Sequence, residues 1–136
     1  MANGTIAFDT LTTSDSVNTG TEKSIDTSYI FNGVAKSHGV VNQSGTVAII
    51  DSFNASSVND DGTGLNTVTF TNNMANSTYT ANAGGQLSAT NETGARAWSI
   101  KADGKTTSTL ASRLATDGGV AFDTGVLNYT VDGDLA

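Results

Sequence analysis

Leu65–Ala83 reads LNTVTFTNNMANSTYTANA, and its spacing decides the fold class. Thr67, Thr69 and Thr71 alternate with Val68 and Phe70. A period of two sends the apolar side chains to one face of a β-strand and the threonines to the other. Asn72, Asn73, Ala75, Asn76 and Ser77 then supply turn chemistry. Tyr79, Ala81 and Ala83 resume the alternation against Thr78, Thr80 and Asn82. The stretch predicts a hairpin or a sheet corner with Met74 in the connection. Met74 is either a flexible apolar plug over the sheet end or a contact for a ligand or partner.

The same reading extends in both directions. Thr5 to Leu11 alternates as a first strand, and Thr12 to Lys23 is a polar loop. Ser24 to Phe31 places Ile25, Thr27, Tyr29 and Phe31 on one face. Asn32-Gly33 follows as a two-residue hairpin signal, with Val34 to Val41 as the returning strand. Gly45–Ile50 and Ser52–Val58 form the next pair, and the acidic cluster Asn59 to Gly64 turns the chain into the opening stretch. Gly84-Gly85 is expected to break the element after it, leaving Gln86 to Thr90 as a short strand. Ala95 to Ala102 carries Arg96, Trp98 and Ile100 on one face, and Asp103-Gly104 signals a second tight hairpin returning through Lys105 to Leu110. Leu110 to Ala115 has the composition for a single helical turn. Val120 to Phe122 and Val126 to Val131 close the chain as strands. Short strands separated by turns predict an all-β chain, a single antiparallel β-sandwich of jelly-roll-like kind over 14–136, with no amphipathic segment for a central helix. Residues 1–13 are either an attachment strand or arm, or simply the first strand of the sandwich.

Composition agrees. Ser, Thr, Asn and Gly supply nearly half of the 136 residues, and only 14% are charged. Disordered chains combine low hydrophobicity with high charge, so β-branched alternation at low charge density argues for a folded sheet protein with threonine-covered faces. The net charge of −7 and the scatter of Lys23, Lys36, Lys101, Lys105, Arg96 and Arg113 exclude a basic patch, and with it phosphate-backbone binding or an anionic membrane surface. No apolar run approaches the length of a membrane span. Without cysteine there are neither disulfides nor thiolate metal sites. The opening MANGTIAFDT lacks a basic n-region and an apolar h-region, so synthesis in a cytoplasm without a secretory signal is expected. Proline is absent, and glycine, asparagine and aspartate make the turns. So few lysines leave long β edges unprotected, which points to an oligomer that covers some of them.

Catalytic chemistry is poorly represented. His38 is the single histidine and no Gly-x-Ser-x-Gly elbow accompanies it. Glu22 and Glu92, the two glutamates, lie in polar loops rather than as a spaced pair for glycoside hydrolysis. Asp60-Asp61-Gly62, Asp103-Gly104 and Asp132-Gly133-Asp134 offer oxygen ligands beside glycine but lack the twelve-residue calcium-loop pattern, so solvated turns are expected over calcium sites. Six Asn-x-Ser/Thr sequons, from Asn3 to Asn128, match what this composition produces by chance. No cofactor is expected. Trp98, Tyr79 and Met74 are the candidate contacts for a glycan or a partner, because an aromatic ring joins an apolar face to a polar tip. For Trp98 the alternation with Ile100 favours core packing over an exposed platform.

Several of these stretches carry a family resemblance. Gly62-Thr63-Gly64, the Thr/Val strand ending at Phe70, and the Asn-rich turn with Met74-Ala75 before Ser77-Thr78-Tyr79 resemble a module of small β-rich virion structural proteins, fibre-like or decorating, of tailed phages of marine and freshwater bacteria, cyanophages among them. The resemblance extends through Asn32 to Lys36, Gly45 to Ile49 and Asp51 to Ser57, and takes in Met1 to Thr13 and Gly133 to Ala136. It covers most of 1–83 and the last few residues, and nothing between about 84 and 132. One departure is Ser37-His38, where the family has an aromatic residue after Ala35-Lys36. The resemblance implies a non-enzymatic protein of the virion surface, a short fibre or knob or a capsid decoration protein. Its partners would be other phage structural proteins and further copies of itself, most naturally in a trimer, and a host surface glycan for a fibre. A free lectin-like carbohydrate-binding module is the alternative.

Overall fold

The computed structural model describes residues 10–12, 24–86 and 96–136. The chain forms two compact units, Met1–Val34 and Ala35–Ala136. In the first, β1 (Thr10–Thr12) pairs antiparallel with β2 (Ser24–Asp26), and α1 (Thr27–Gly33) follows directly. The expected strand over 5–9, the loop over 13–23 and the sequon at Asn3 lie outside the described residues.

The second unit is the predicted β-sandwich. Its strands are β3 (Ser37–Asn42), β4 (Ala48–Phe53), β5 (Ala55–Gly62), β6 (Leu65–Phe70), β7 (Thr80–Gln86), β8 (Arg96–Lys105), β9 (Thr109–Thr116) and β10 (Val126–Asp132). They build two four-stranded antiparallel sheets, ordered β4-β3-β10-β7 and β5-β6-β9-β8. The body of the sandwich thus begins at Ala35, and 14–34 supply no strand to either four-stranded sheet among the described residues.

The alternation in the opening stretch holds residue by residue. Asn66, Val68 and Phe70 of β6 are buried, while Thr67 and Thr69 are half-buried on the other face. The chain then turns a sheet corner, not a hairpin: β6 belongs to one sheet and β7 to the other. Leu127, Tyr129 and Val131 of β10 and Val41 of β3 meet Val68, Phe70, Leu110 and Leu114 in the core, and Met74 and Tyr79 close its end. A few large side chains fill this space because glycine lets them approach. A Cβ on Gly39 would stand 2.5 Å from Tyr129 Cε1, its directly opposed neighbour.

Several turn signals serve other purposes. Asn32-Gly33 ends α1 instead of making a hairpin, and the segment 24–31 is a short strand plus helix. Neither Asn32 nor Gly33 has the positive φ that a two-residue hairpin turn needs, so the pair stays in the helix, and β3 takes its partners from β4, the next strand, and from β10, far along the chain. The strands expected at 45–50 and 52–58 are displaced to 48–53 and 55–62, and they lie in different sheets. Gly84-Gly85 does not break β7: both residues stay in register with Asn128 and Leu127. On Gly85 a Cβ would sit 3.0 Å from Thr124 Oγ1 and 3.1 Å from Leu114 Cδ2, so the small residue admits them. Gln86 ends β7, and the rest of the strand expected to Thr90 lies outside the described residues.

Asp103-Gly104 lies in a wide bulge of β8, and the β8–β9 hairpin turns three residues later, at Thr106–Ser108. Asp103 does adopt the left-handed conformation that the dipeptide favours, with φ 55°, but the bulge uses it. Leu110 to Ala115 is strand, not a helical turn, and Val120 to Phe122 contributes only a bridge from Ala121 to Ala115.

Asn54 carries the chain from β4 to β5 and so from one sheet to the other. Its φ is 57°, left-handed. Its side-chain Nδ2 donates to the Lys36 carbonyl at 2.9 Å and to the Asn72 carbonyl at 3.1 Å, and its Oδ1 accepts from Asn72 N at 2.7 Å. Asn54→Gly keeps the backbone conformation and loses the amide, at a cost of about 1–3 kcal/mol. Asn54→Ala adds the left-handed penalty of roughly 1–2 kcal/mol on top. Urea unfolding should rank wild type above the glycine variant and the glycine variant above the alanine one; equal glycine and alanine midpoints would contradict this account.

Candidate functional site

The three residues expected to make contacts occupy the interior or its rim. Met74 is 1% exposed and bridges to Leu135. Tyr79 is 4% exposed, with its ring edge against Phe70 at 5.8 Å. Its hydroxyl donates to the Thr109 carbonyl at 2.7 Å, and Lys105 Nζ caps the ring and donates to the Tyr79 carbonyl at 3.0 Å. Trp98 is half-buried against the core, as its alternation with Ile100 allows, and its indole Nε1 is buried with no hydrogen-bond partner among the described residues. Met74 and Tyr79 therefore offer no surface to a glycan or partner; they hold the end of the sandwich together.

The surface worth reading is the outer face of the β4-β3-β10-β7 sheet. Strand register arranges it in rows. Phe53, His38, Thr130 and Asn82 stand side by side in one row, and Asp51, Val40, Asn128 and Gly84 in the next. Alternation puts these side chains outward because Val41, Leu127, Tyr129 and Val131 point in. At the β4 edge, Ile50 and Phe53 are 59% and 53% exposed. Ile50 is the extra residue of a bulge opposite Val40 and Val41, which turns its side chain out. His38 stacks on Phe53 with ring centroids 5.7 Å apart. It makes no hydrogen bond to a hydroxyl or carboxylate among the described residues, so no nucleophile–base pair forms around it.

Toward the other edge the missing side chain of Gly84 opens a shallow depression of about 230 Å³, lined by Asn82, Ala83, Gly84, Asn128, Tyr129 and Thr130. The side chains of Asn82, Asn128 and Thr130 make no hydrogen bond within the described protein. Two amides and a hydroxyl thus face solvent around a notch, and no lysine or arginine stands in the two rows that flank it.

In the Asp60-Asp61-Gly62 cluster, and at Asp123 beside Gly64, the carboxylates bond within the protein. Asp60 Oδ1 accepts from Gly62 N at 2.9 Å, Asp61 Oδ2 from Thr67 Oγ1 at 2.6 Å, and Asp123 Oδ1 from Gly64 N at 2.7 Å. Among the described residues no three His, Asp or Glu side chains come together to hold a metal ion. The outer face was hidden from sequence reasoning because it depends on which strands neighbour one another. Gly84 was read as a strand breaker, and Asn82 and Asn128 as polar alternation. No family model, no curated protein and no solved structure matches this chain.

Burial pushes the Tyr79 phenol up to about 12 from an ordinary 10.0. Burial also raises Tyr129, partly offset by its hydrogen bond with Ser37. For a group whose folded pKa is raised, the stabilisation is full below the unfolded value and is lost as pH climbs through the folded one. Stability should therefore be level in this respect up to pH 10 and fall between about pH 10 and 12. Tyr79→Phe should flatten that fall in urea titrations at stepped pH. An unchanged alkaline slope would place the lost protons elsewhere.

Proposed function

We propose that this chain is a non-enzymatic structural protein of a bacteriophage particle, displayed on the virion surface as a short fibre, knob or capsid-decorating module. The virion part of this reading is supported by the resemblance of residues 1–83. Its structural part, assembly through strand edges, is supported by the way the sandwich distributes charge along those edges. The edge strands of one sheet are charged: β5 carries Asp60 and Asp61, and β8 carries Arg96, Lys101, Asp103 and Lys105. The edge strands of the other sheet, β4 and β7, hold Asp51 as their one charge between them. An uncharged edge with unpaired backbone groups is a template for another strand, and monomeric proteins normally guard it with lysine or other charges.

The contrast between the sheets, with exposed Ile50 at the β4 edge, is the observation that carries the proposal. Copies of the chain assemble through this sheet, three being the number the resemblance suggests, and neighbouring phage proteins cover what remains. The free lectin-like module is the second reading, and the Gly84 notch is the feature that favours it.

Antibody raised against the recombinant protein and coupled to gold should label intact, purified particles of the encoding phage, over the capsid or at the tail. Bare particles would overturn the virion-surface reading. Light scattering behind size exclusion should give a multiple of the 13.8 kDa chain for the wild type. Ile50→Lys, which puts a charge on the β4 edge, should shift the population to monomer. An Ile50→Lys protein with unchanged mass would remove β4 from the interface.

A further inference from the structure

We propose that the outer face of the β4-β3-β10-β7 sheet binds an uncharged oligosaccharide, anchored in the notch over Gly84. The proposal deepens the surface-display reading and rests on it for the source of the sugar, a host surface glycan. The sugar site itself follows from the chemistry of the face. Each exposed amide of Asn82 and Asn128 presents a donor beside an acceptor, and Thr130 adds a hydroxyl. A pyranose edge offers neighbouring hydroxyls that donate and accept in the same way. These three side chains have no internal partner among the described residues, so a ligand breaks no hydrogen bond of theirs within the protein.

The notch, at about 230 Å³, falls below the roughly 300–1,000 Å³ of sites for drug-sized ligands and suits a single ring. The rest of a longer chain would lie along the row toward His38 and Phe53. Three strand spacings separate Asn82 from Phe53, roughly 14 Å. There the exposed face of Phe53 meets the C–H surface of a sugar. Charge selects the class. The two rows contain Asp51 and no cation, and the chain is −7 overall, so sulfated, phosphorylated or uronic-acid sugars are disfavoured.

The test uses the full chain, isotopically labelled, in nuclear magnetic resonance titrations with maltohexaose, cellohexaose and mannohexaose, and with a heparin hexasaccharide as the charged comparison. At least one neutral hexasaccharide should shift the side-chain amides of Asn82 and Asn128 and the backbone amide of Gly84, with a Kd in the millimolar range. Gly84→Val fills the notch. A Cβ there meets nothing within 4 Å, and a β-branched residue suits a strand, so the variant should fold while binding at least about tenfold more weakly. Asn128→Ala should weaken binding with no change in the melting transition. The proposal is overturned if no neutral sugar produces shifts up to about 20 mM, if shifts appear away from this face, if Gly84→Val binds as wild type does, or if the heparin fragment binds better. Gold-labelled particles without sugar shifts would keep the display reading and remove this one. Sugar shifts without particle labelling would do the reverse.

Discussion

The sandwich depends on one corner. To place β4 and β5 in different sheets, the chain must pass from one sheet to the other through a single residue, and Asn54 does so in the left-handed region. Its side chain then works as both donor and acceptor, joining the Lys36 carbonyl before β3 to the backbone of Asn72 beyond β6. Aspartate could accept but not donate here, and glycine could do neither. Next to it Ser37 donates to the Phe53 carbonyl at 3.1 Å and meets the Tyr129 hydroxyl at 3.4 Å. Segments distant in sequence are therefore held at one end of the sandwich by neutral hydrogen bonds, in a chain without cysteine.

The interior explains how a chain with so few large apolar residues builds a core. Big side chains rest on glycines. Tyr129 lies over Gly39, Leu114 reaches Gly85, and Gly133 admits the Tyr79 Cβ and the Met74 methyl. Overpacking such contacts is costly because interiors are already dense. The same economy shapes the surface. Of the adjacent glycines in β7, Gly85 admits core side chains and Gly84 leaves a notch outside, since neighbours along a strand face opposite ways.

The two sheets present different surfaces to the outside. One has charged edges; the other has nearly neutral edges, exposed Ile50 and Phe53, and a shallow notch beside Asn82, Asn128 and Thr130 with no lysine or arginine in the flanking rows. The proposed assembly and the proposed sugar site both involve the β4-β3-β10-β7 sheet, the first through the β4 edge and the second on the outer face, anchored over Gly84.

Alternation was legible. The inward faces of β6 and β10 and the placing of Trp98 beside Ile100 follow from a period of two, a property each segment carries alone, whereas Met74 lies in a connection and its burial came from the structure. Turn dipeptides were legible only in part, the conformation of Asp103 but not that of Asn32-Gly33. Asp103 is left-handed as an Asp-Gly pair suggests, yet it lies in a bulge, and Asn32-Gly33 finishes a helix. A turn signal specifies φ and ψ, not which strands flank it. Strand order, the role of Asn54 and the outer-face rows of Thr130, Asn82 and Asn128 came from tertiary structure alone, because cross-strand neighbours are chosen by long-range packing. By itself the sequence determined that this is a sheet protein with thin, alternating apolar faces. Which faces meet, and what surface is left over for function, was decided by pairings such as β3 with β10, some ninety residues apart, whose stabilisation exists only once both strands are in place.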